Sequence, residues 1–230
     1  MRNFLQKKYF SILFFIGTIN QPYLCADKKS LPMNIQEESE IPLTEDLMRE
    51  HGLLNRILLI YEEIVKRIDN NTNFSIIVLN NAVEIIRSFI ENYHEKLEED
   101  YIFPLFEKHK KEIKLVKTLK AQHNKGREIT AQLQKLSIEN KPLDQKTRKL
   151  IKNLLQKFIR MYRPHEARED TVLFPQVRSL MTESEFKNMS KIFEDREHEL
   201  FGEDGFELMI KKVEDIEKDL DIYRLEQFTP

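Results

Sequence analysis

The sequence predicts an all-α protein: an up-down four-helix bundle with an additional C-terminal helical segment. Three observations carry that expectation. Lys, Glu, Leu and Ile dominate the 230 residues, Gly is scarce at 5 and Trp is absent, a composition that favours helices. Apolar residues recur in steps of three and four along most of the chain, and no stretch alternates with the period of two that a half-buried strand requires. The chain also reads as duplicated. Phe89-Ile90-x-x-Tyr93 recurs as Phe158-Ile159-x-x-Tyr162, and each half is a helix with one His followed by a helix with His-x-x-x-Glu. Two such helical hairpins packed face to face make a four-helix bundle.

Taken in order, residues 1–26 read as an export signal. Arg2, Lys7 and Lys8 form a positive start, Tyr9 to Ile19 is an apolar run too short for a comfortable membrane span, and Ala26 offers a small residue for cleavage. An uncleaved membrane anchor is the alternative. The expected location is therefore outside the cytoplasm, periplasmic or secreted. Cys25 is the only cysteine, and Leu24 before it is a poor fit to a lipid-attachment motif. Cleavage after Ala26 would leave no Cys, which excludes disulfides, thiolate nucleophiles and Cys-based metal sites.

Residues 27–42, polar with Pro32 and Pro42, read as a linker, and residues 43–180 as the bundle. Thr44 is a plausible N-cap for a first helix reaching about Asp69, with the stripe Leu47, His51, Leu54, Leu58, Tyr61. Asn70-Asn71-Thr72-Asn73 breaks the chain. A second helix from about Phe74 carries Ile86, Ile90, His94, Leu97 and Tyr101, with Pro104 expected to kink it. The third, about Glu112 to Ile138, carries Val116, Leu119, His123, Gly126, Thr130 and Leu133. Glu139-Asn140-Lys141-Pro142 is a second break. The fourth helix starts near Leu143 or Asp144, carries Ile151, Leu154, Phe158, Met161, His165, Arg168 and Val172, and is expected to bend at Pro164. Residues 181–230 form the extension, expected as a lid over one end. Thr182 with Glu185 signals a capping box, and Gly202-Glu203-Asp204-Gly205 separates two helical stretches.

The chemistry lies in the histidines. Four of the six sit on apolar seams, one on each of four helices: His51, His94, His123 and His165. Residues four apart share a helix face, so His94 stacks on Glu98 and His165 on Glu169. Burying four imidazoles and two carboxylates together costs several kcal/mol unless they are paired or hold metal. Imidazole and carboxylate without thiolate suit Fe, Mn, Zn or Cu. Glu98 and Glu169 come from opposite hairpins and could each bridge two ions, whereas a single zinc would need only three or four of the six residues. His198 lies off its helix stripe, and His109 sits in a Lys-rich turn that reads as surface. Glu95 and Glu166 each follow a seam histidine and turn about 100° from it, so they read as solvated acids. Tyr93, Tyr101 and Tyr162 read as core residues with hydroxyls near the site.

This order, His, His-x-x-x-Glu, His, His-x-x-x-Glu over about residues 43–180, resembles the hemerythrin-like, or HHE cation-binding, domain. The resemblance implies a non-haem di-iron centre. His51 would come from the first helix, His94 and Glu98 from the second, His123 from the third, and His165 and Glu169 from the fourth, with both acids bridging. Manganese or zinc are the other metals the donors suit. Oxygen-carrying hemerythrins have His-x-x-x-His on the third helix, where this chain has Arg127 four residues after His123. They also have the fourth-helix acid one residue further on. In both respects the chain looks more like the bacterial and regulatory branches. Glu95 and His198 are candidates for additional metal contact or for support behind the ligands.

The function expected is a di-iron binding protein that binds or senses oxygen or a related small molecule such as peroxide or nitric oxide. The alternatives are turnover of peroxide or nitric oxide at the same centre, or iron binding and storage without catalysis. A net charge of −2 and the lack of a basic, aromatic-interleaved stripe give no reason to expect nucleic acid.

Overall fold

The computed structural model describes residues 42–138 and 143–230. The expected export signal, nearly all of the expected linker and the expected break at Glu139-Asn140-Lys141-Pro142 lie outside the described residues. Among the described residues there is no strand, and all regular structure is helical. α1 spans Leu43–Asp69. α2 is a continuous helical run over residues 76–108, α-helical at Ile76–Ile85, Glu95–Leu97 and Phe103–Lys108 and π-helical at Ile86–His94 and Glu98–Ile102. α3 spans Ile113–Ile138. α4 covers residues 145–177: Gln145–Arg168, a π segment at Glu169–Leu173, and Phe174–Val177. α5 is Glu183–Phe201 and α6 is Gly205–Asp219.

The start of α1 differs from the expected Thr44 cap. Pro42 takes the cap position, and its carbonyl accepts from the backbone N–H groups of Glu45 at 2.8 Å and Asp46 at 3.0 Å. Leu43 is buried, so packing rather than a capping side chain fixes this first turn. The other ends follow capping chemistry. Ser75 accepts from the Ile77 N–H, Asp144 from the Thr147 N–H, and Thr182 and Glu185 form the expected box.

The prolines produce a widened turn rather than a break. The Phe103 N–H reaches back five residues to the Glu98 carbonyl, and the Phe174 N–H does the same to Glu169. In each case the next residue is proline (Pro104 and Pro175), which has no N–H and whose ring crowds the carbonyl four residues back. The helix accommodates both effects with one π turn, a feature common at functional sites. Each widened turn begins at the Glu that follows its histidine by four. Pro164, expected to bend α4, sits inside an α-helix that continues to Arg168.

Cross-helix pairs fix the neighbours. Gln134 meets Glu84 at 2.8 Å and Ser137 meets Asn80 at 3.0 Å, so α2 and α3 run antiparallel. Arg163 meets Glu62 at 2.6 Å and Lys152 pairs with Asp69, so α1 and α4 also run antiparallel. The extension is laid along α1 rather than set over one end. Arg49 pairs with Glu207 at 3.7 Å and Arg56 with Glu217 at 2.6 Å, and Arg67 donates to the Leu220 carbonyl at 2.6 Å. Phe206, Met209, Val213, Ile216 and Leu220 are buried beneath it. That cover explains why α1 buries Leu53, Ile57, Ile60 and Ile64 besides its expected stripe.

Candidate metal centre

Six residues from four helices meet at one place in the core. His51, His94, Glu98, His123, His165 and Glu169 are each no more than 3% exposed. The Nε2 atoms of His51 and His94 lie 3.0 Å apart, and those of His123 and His165 lie 3.2 Å apart. Between the two pairs stand the acids. Glu98 Oε2 is 3.7 Å from His94 Nε2 and 3.4 Å from His123 Nε2. Glu169 Oε2 is 3.4 Å from His51 Nε2 and 3.1 Å from His165 Nε2. Each carboxylate therefore faces one imidazole of either pair. His51, His94 and Glu98 form one compact donor group, and His123, His165 and Glu169 a second.

All four rings are held from behind. His51 Nδ1 meets Asp170 at 2.7 Å, His94 Nδ1 meets Glu50 at 2.5 Å, His123 Nδ1 meets Glu99 at 3.1 Å, and His165 Nδ1 meets Gln122 at 2.9 Å. Asp170, Glu99 and the Gln122 amide oxygen accept here, and Glu50 does so once it is ionised, an arrangement that puts the ring proton on Nδ1 and turns the Nε2 lone pair to the centre. Phe174 stacks on His51 and Phe103 on His123, with centroids 5.4 and 5.5 Å apart. These are the residues just after the two π turns, so the Phe-Pro pair in each repeat aims both the acid and the ring.

Helix spacing alone does not mark the four backing residues, yet each is the immediate chain neighbour of a central residue. Glu50 precedes His51, Gln122 precedes His123, Glu99 follows Glu98 and Asp170 follows Glu169. The repeated pair of acids was visible in the motif. What was missing was the neighbouring helix that lets such a residue reach a ring it does not share a face with.

Glu95 and Glu166 are not solvated acids: they are 1% and 2% exposed. A turn of 100° takes them not to water but to the adjoining helix. Glu95 accepts from the Tyr162 hydroxyl at 2.6 Å and pairs with Arg127 at 2.7 Å. Glu166 accepts from the Asn55 amide. Arg127 also pairs with Glu99 at 2.7 Å, so it joins the two acids that flank Glu98 across one turn of α2. Gly126 makes this possible, because a Cβ there would lie 2.0 Å from the Tyr162 hydroxyl. His198 is exposed on α5 and His109 is exposed after α2; neither belongs to the central group.

Burial sets the protonation states. It lowers His94 and His123 to about 4 and His165 to about 3, so these rings are neutral near pH 7 and their nitrogens are free to coordinate. Burial, and then the charge of Glu169, pushes Glu98 well above the ordinary carboxylate range. Glu169 is likewise raised by burial, against the pull of His51, His123 and His94. Burial raises Glu50 to about 8 and Glu166 to about 9. Glu99 is the exception: hydrogen bonds from His123, Arg127 and Lys96 outweigh its burial and lower it.

Beyond the contact between the two carboxyl groups themselves, the four oxygens of Glu98 and Glu169 have no hydrogen-bond partner. A buried carboxylate left so is destabilising unless a cation meets it. Four imidazole nitrogens and two orphaned carboxylates, without sulfur, are the donor set that iron, manganese or zinc accepts. By its donor chemistry the site fits a metal.

The sequence profile of the hemerythrin HHE cation binding domain matches this chain over residues 43–177 and again over 114–229. Uncharacterized proteins of Mycobacterium tuberculosis and Mycobacterium bovis are 47% identical over 195 residues, which covers 84% of this chain and 76% of each relative. No solved structure matches it.

Proposed function

Because this chain belongs to the hemerythrin HHE cation-binding family, whose domain binds metal ions and usually iron, we propose that its core is a non-haem di-iron centre and that the protein binds or senses oxygen, peroxide or nitric oxide. In this reading α1 to α4 form an up-down four-helix bundle over residues 43–180, with 181–230 as an extension. His51 and His94 would hold one ion and His123 and His165 the other, with Glu98 and Glu169 as the acids that would serve both. The observation that supports this most is the placement of each acid between one imidazole of either pair, with no hydrogen-bond partner for its oxygens beyond the opposite carboxyl.

Iron, when bound, supplies redox chemistry and open coordination positions for a small molecule. The chain does the rest. Glu50, Asp170, Glu99 and Gln122 fix the ring tautomers and orient each Nε2. Phe103 and Phe174 pack against the rings and keep water out. Arg127 occupies the position where the oxygen carriers have a further imidazole, and the salt bridge to Glu95 engages it.

A second reading, turnover of peroxide or nitric oxide, draws on a different observation. The Tyr162 hydroxyl is hydrogen-bonded to Glu95, and its ring lies 5.4 Å from that of His165. The pair can hold a proton beside the centre for transfer to a small molecule bound there.

The test is anaerobic reconstitution of the full chain with ferrous iron, followed by its absorption spectrum as oxygen is added and removed. A reversible charge-transfer band supports binding. Irreversible oxidation with consumption of peroxide supports turnover. A chain that retains a single zinc and rejects iron contradicts the di-iron reading.

A further inference from the structure

A pocket of about 340 Å³ lies between α3 and α4, and His165 is part of its wall. Leu115, Leu119 and Pro164 give it an apolar lining. The pockets elsewhere on the bundle include acids: Asp46 and Glu197 in one, Glu62 and Asp69 in another, Asp100 and Asp195 in a third. This one has none. Its charged residues are Lys114 and Arg168, both exposed, and neither forms an ion pair among the described residues. Arg168 falls on the apolar seam of α4, three residues after His165, where a core residue is expected; instead it serves this pocket.

A second observation concerns Gln122, which also lines the pocket. Of the four residues behind the imidazoles it alone has no carboxyl group. Its Oε1 accepts from His165 Nδ1 at 2.9 Å, which fixes the orientation of the amide. The amide NH2 group is left without a partner among the described residues, free to donate. An acceptor in the pocket would complete a chain from ligand through Gln122 to the ring. Hydrogen bonds in series polarise one another, so an anion drawing on the NH2 group makes Oε1 a stronger acceptor towards His165. The ligand would then supply from outside the negative charge that the chain's own carboxyl groups can place behind the other three rings.

We propose that this pocket binds a small carboxylate with a short apolar body and that the bound anion strengthens metal binding at His165. The carboxylate meets Lys114 and Arg168 and accepts from the Gln122 amide, and the hydrocarbon part rests on Leu115, Leu119 and Pro164. The pocket itself needs no metal; its coupling to the centre rests on the metal-centre reading above.

Butyrate is the probe, with butanol as its uncharged counterpart and inorganic phosphate as an anion without an apolar body. Calorimetric titration of the metal-loaded full chain is expected to show one saturable butyrate site, with butanol and phosphate each at least tenfold weaker. Lys114→Gln and Arg168→Gln should each weaken butyrate at least fivefold while the metal content, which reports the fold, is retained. An iron titration of the full chain should tighten severalfold in saturating butyrate, and by linkage bound iron should tighten butyrate by the same factor. Gln122→Leu should lose that coupling. Butanol or phosphate bound as tightly as butyrate, butyrate affinity unchanged in Arg168→Gln, or coupling retained in Gln122→Leu would each overturn the proposal. A chain that binds butyrate as expected but loads one zinc in place of iron would defeat the di-iron reading and leave the pocket standing. A chain that loads two irons and ignores butyrate would do the reverse.

Discussion

The two halves of the centre have the same layout but different surroundings. In the first, His51 and His94 donate to Asp170 and Glu50, both carboxyl groups. In the second, His123 donates to Glu99, whose charge is shared with Arg127, and His165 donates to the neutral amide of Gln122. Beside the first half Glu166 rests on Asn55, and beside the second Glu95 rests on Arg127 and Tyr162. Asn55 and Arg127 occupy equivalent positions, four residues after His51 and His123. A carboxylate behind an imidazole raises its basicity, whereas a guanidinium nearby opposes a cation. The two halves thus share the layout of their ligands and differ in what stands behind them. On the proposed di-iron reading the two metal positions would be inequivalent, with the His51–His94 half expected to be the tighter once Glu50 is ionised.

The largest effect is expected from removing what the halves share. Glu98→Ala or Glu169→Ala should abolish iron binding in both halves and remove the rise in melting temperature that iron confers, measured by elemental analysis and thermal melts. Exchanging the backing residues tests the asymmetry itself. Glu50→Gln should weaken the first half about 10- to 100-fold, and Gln122→Glu should strengthen the second, so that a stepwise iron titration of the double variant loses or inverts its order. Next is Arg127→Asn, which copies the first half into the second. It leaves Glu95 buried without its cation, and it should lower the stability of the metal-free chain by roughly 1–3 kcal/mol in denaturant titrations.

The remaining effect is one of pH. Glu50 and Glu166 are raised in the folded chain, to about 8 and about 9. Their folded forms keep protons that the unfolded chain has already released, so the stability they contribute is full below the ordinary carboxylate value and is lost as pH rises through about 8 and about 9. His94, lowered to about 4 from 6.5, acts in the opposite sense: stability is lost as pH falls from 6.5 towards 4. Above pH 6.5 only the acids act, and the metal-free melting temperature should decline towards pH 9. Glu50→Gln should flatten the part of that decline that lies below about pH 8.

Much of this arrangement was legible from spacing alone. The six residues gathered at the core stand out because a histidine on an apolar seam, with an acid four residues on, is a one-helix pattern. The backing residues and the burial of Glu95 and Glu166 are two-helix facts. A single-helix projection sends Glu95 to solvent, and only α3 with Arg127 and α4 with Tyr162 reveal where it goes. The same limit explains the first turn of α1, where the burial of Leu43 prevailed over the capping preference of Thr44. Pro104 was legible as a disturbance, but its form was not: the widened turn that places Glu98 appears only once the Phe103 N–H is seen to reach back to it.

The most direct measurement is the iron stoichiometry of the full chain after anaerobic reconstitution, taken beside that of a variant in which His123 and His165 are both alanine. Two shared positions predict about two irons per chain in the parent and about one in the variant, held by His51 and His94 with the bridging acids. One iron in both proteins would contradict a two-ion centre and place the only ion in the first half.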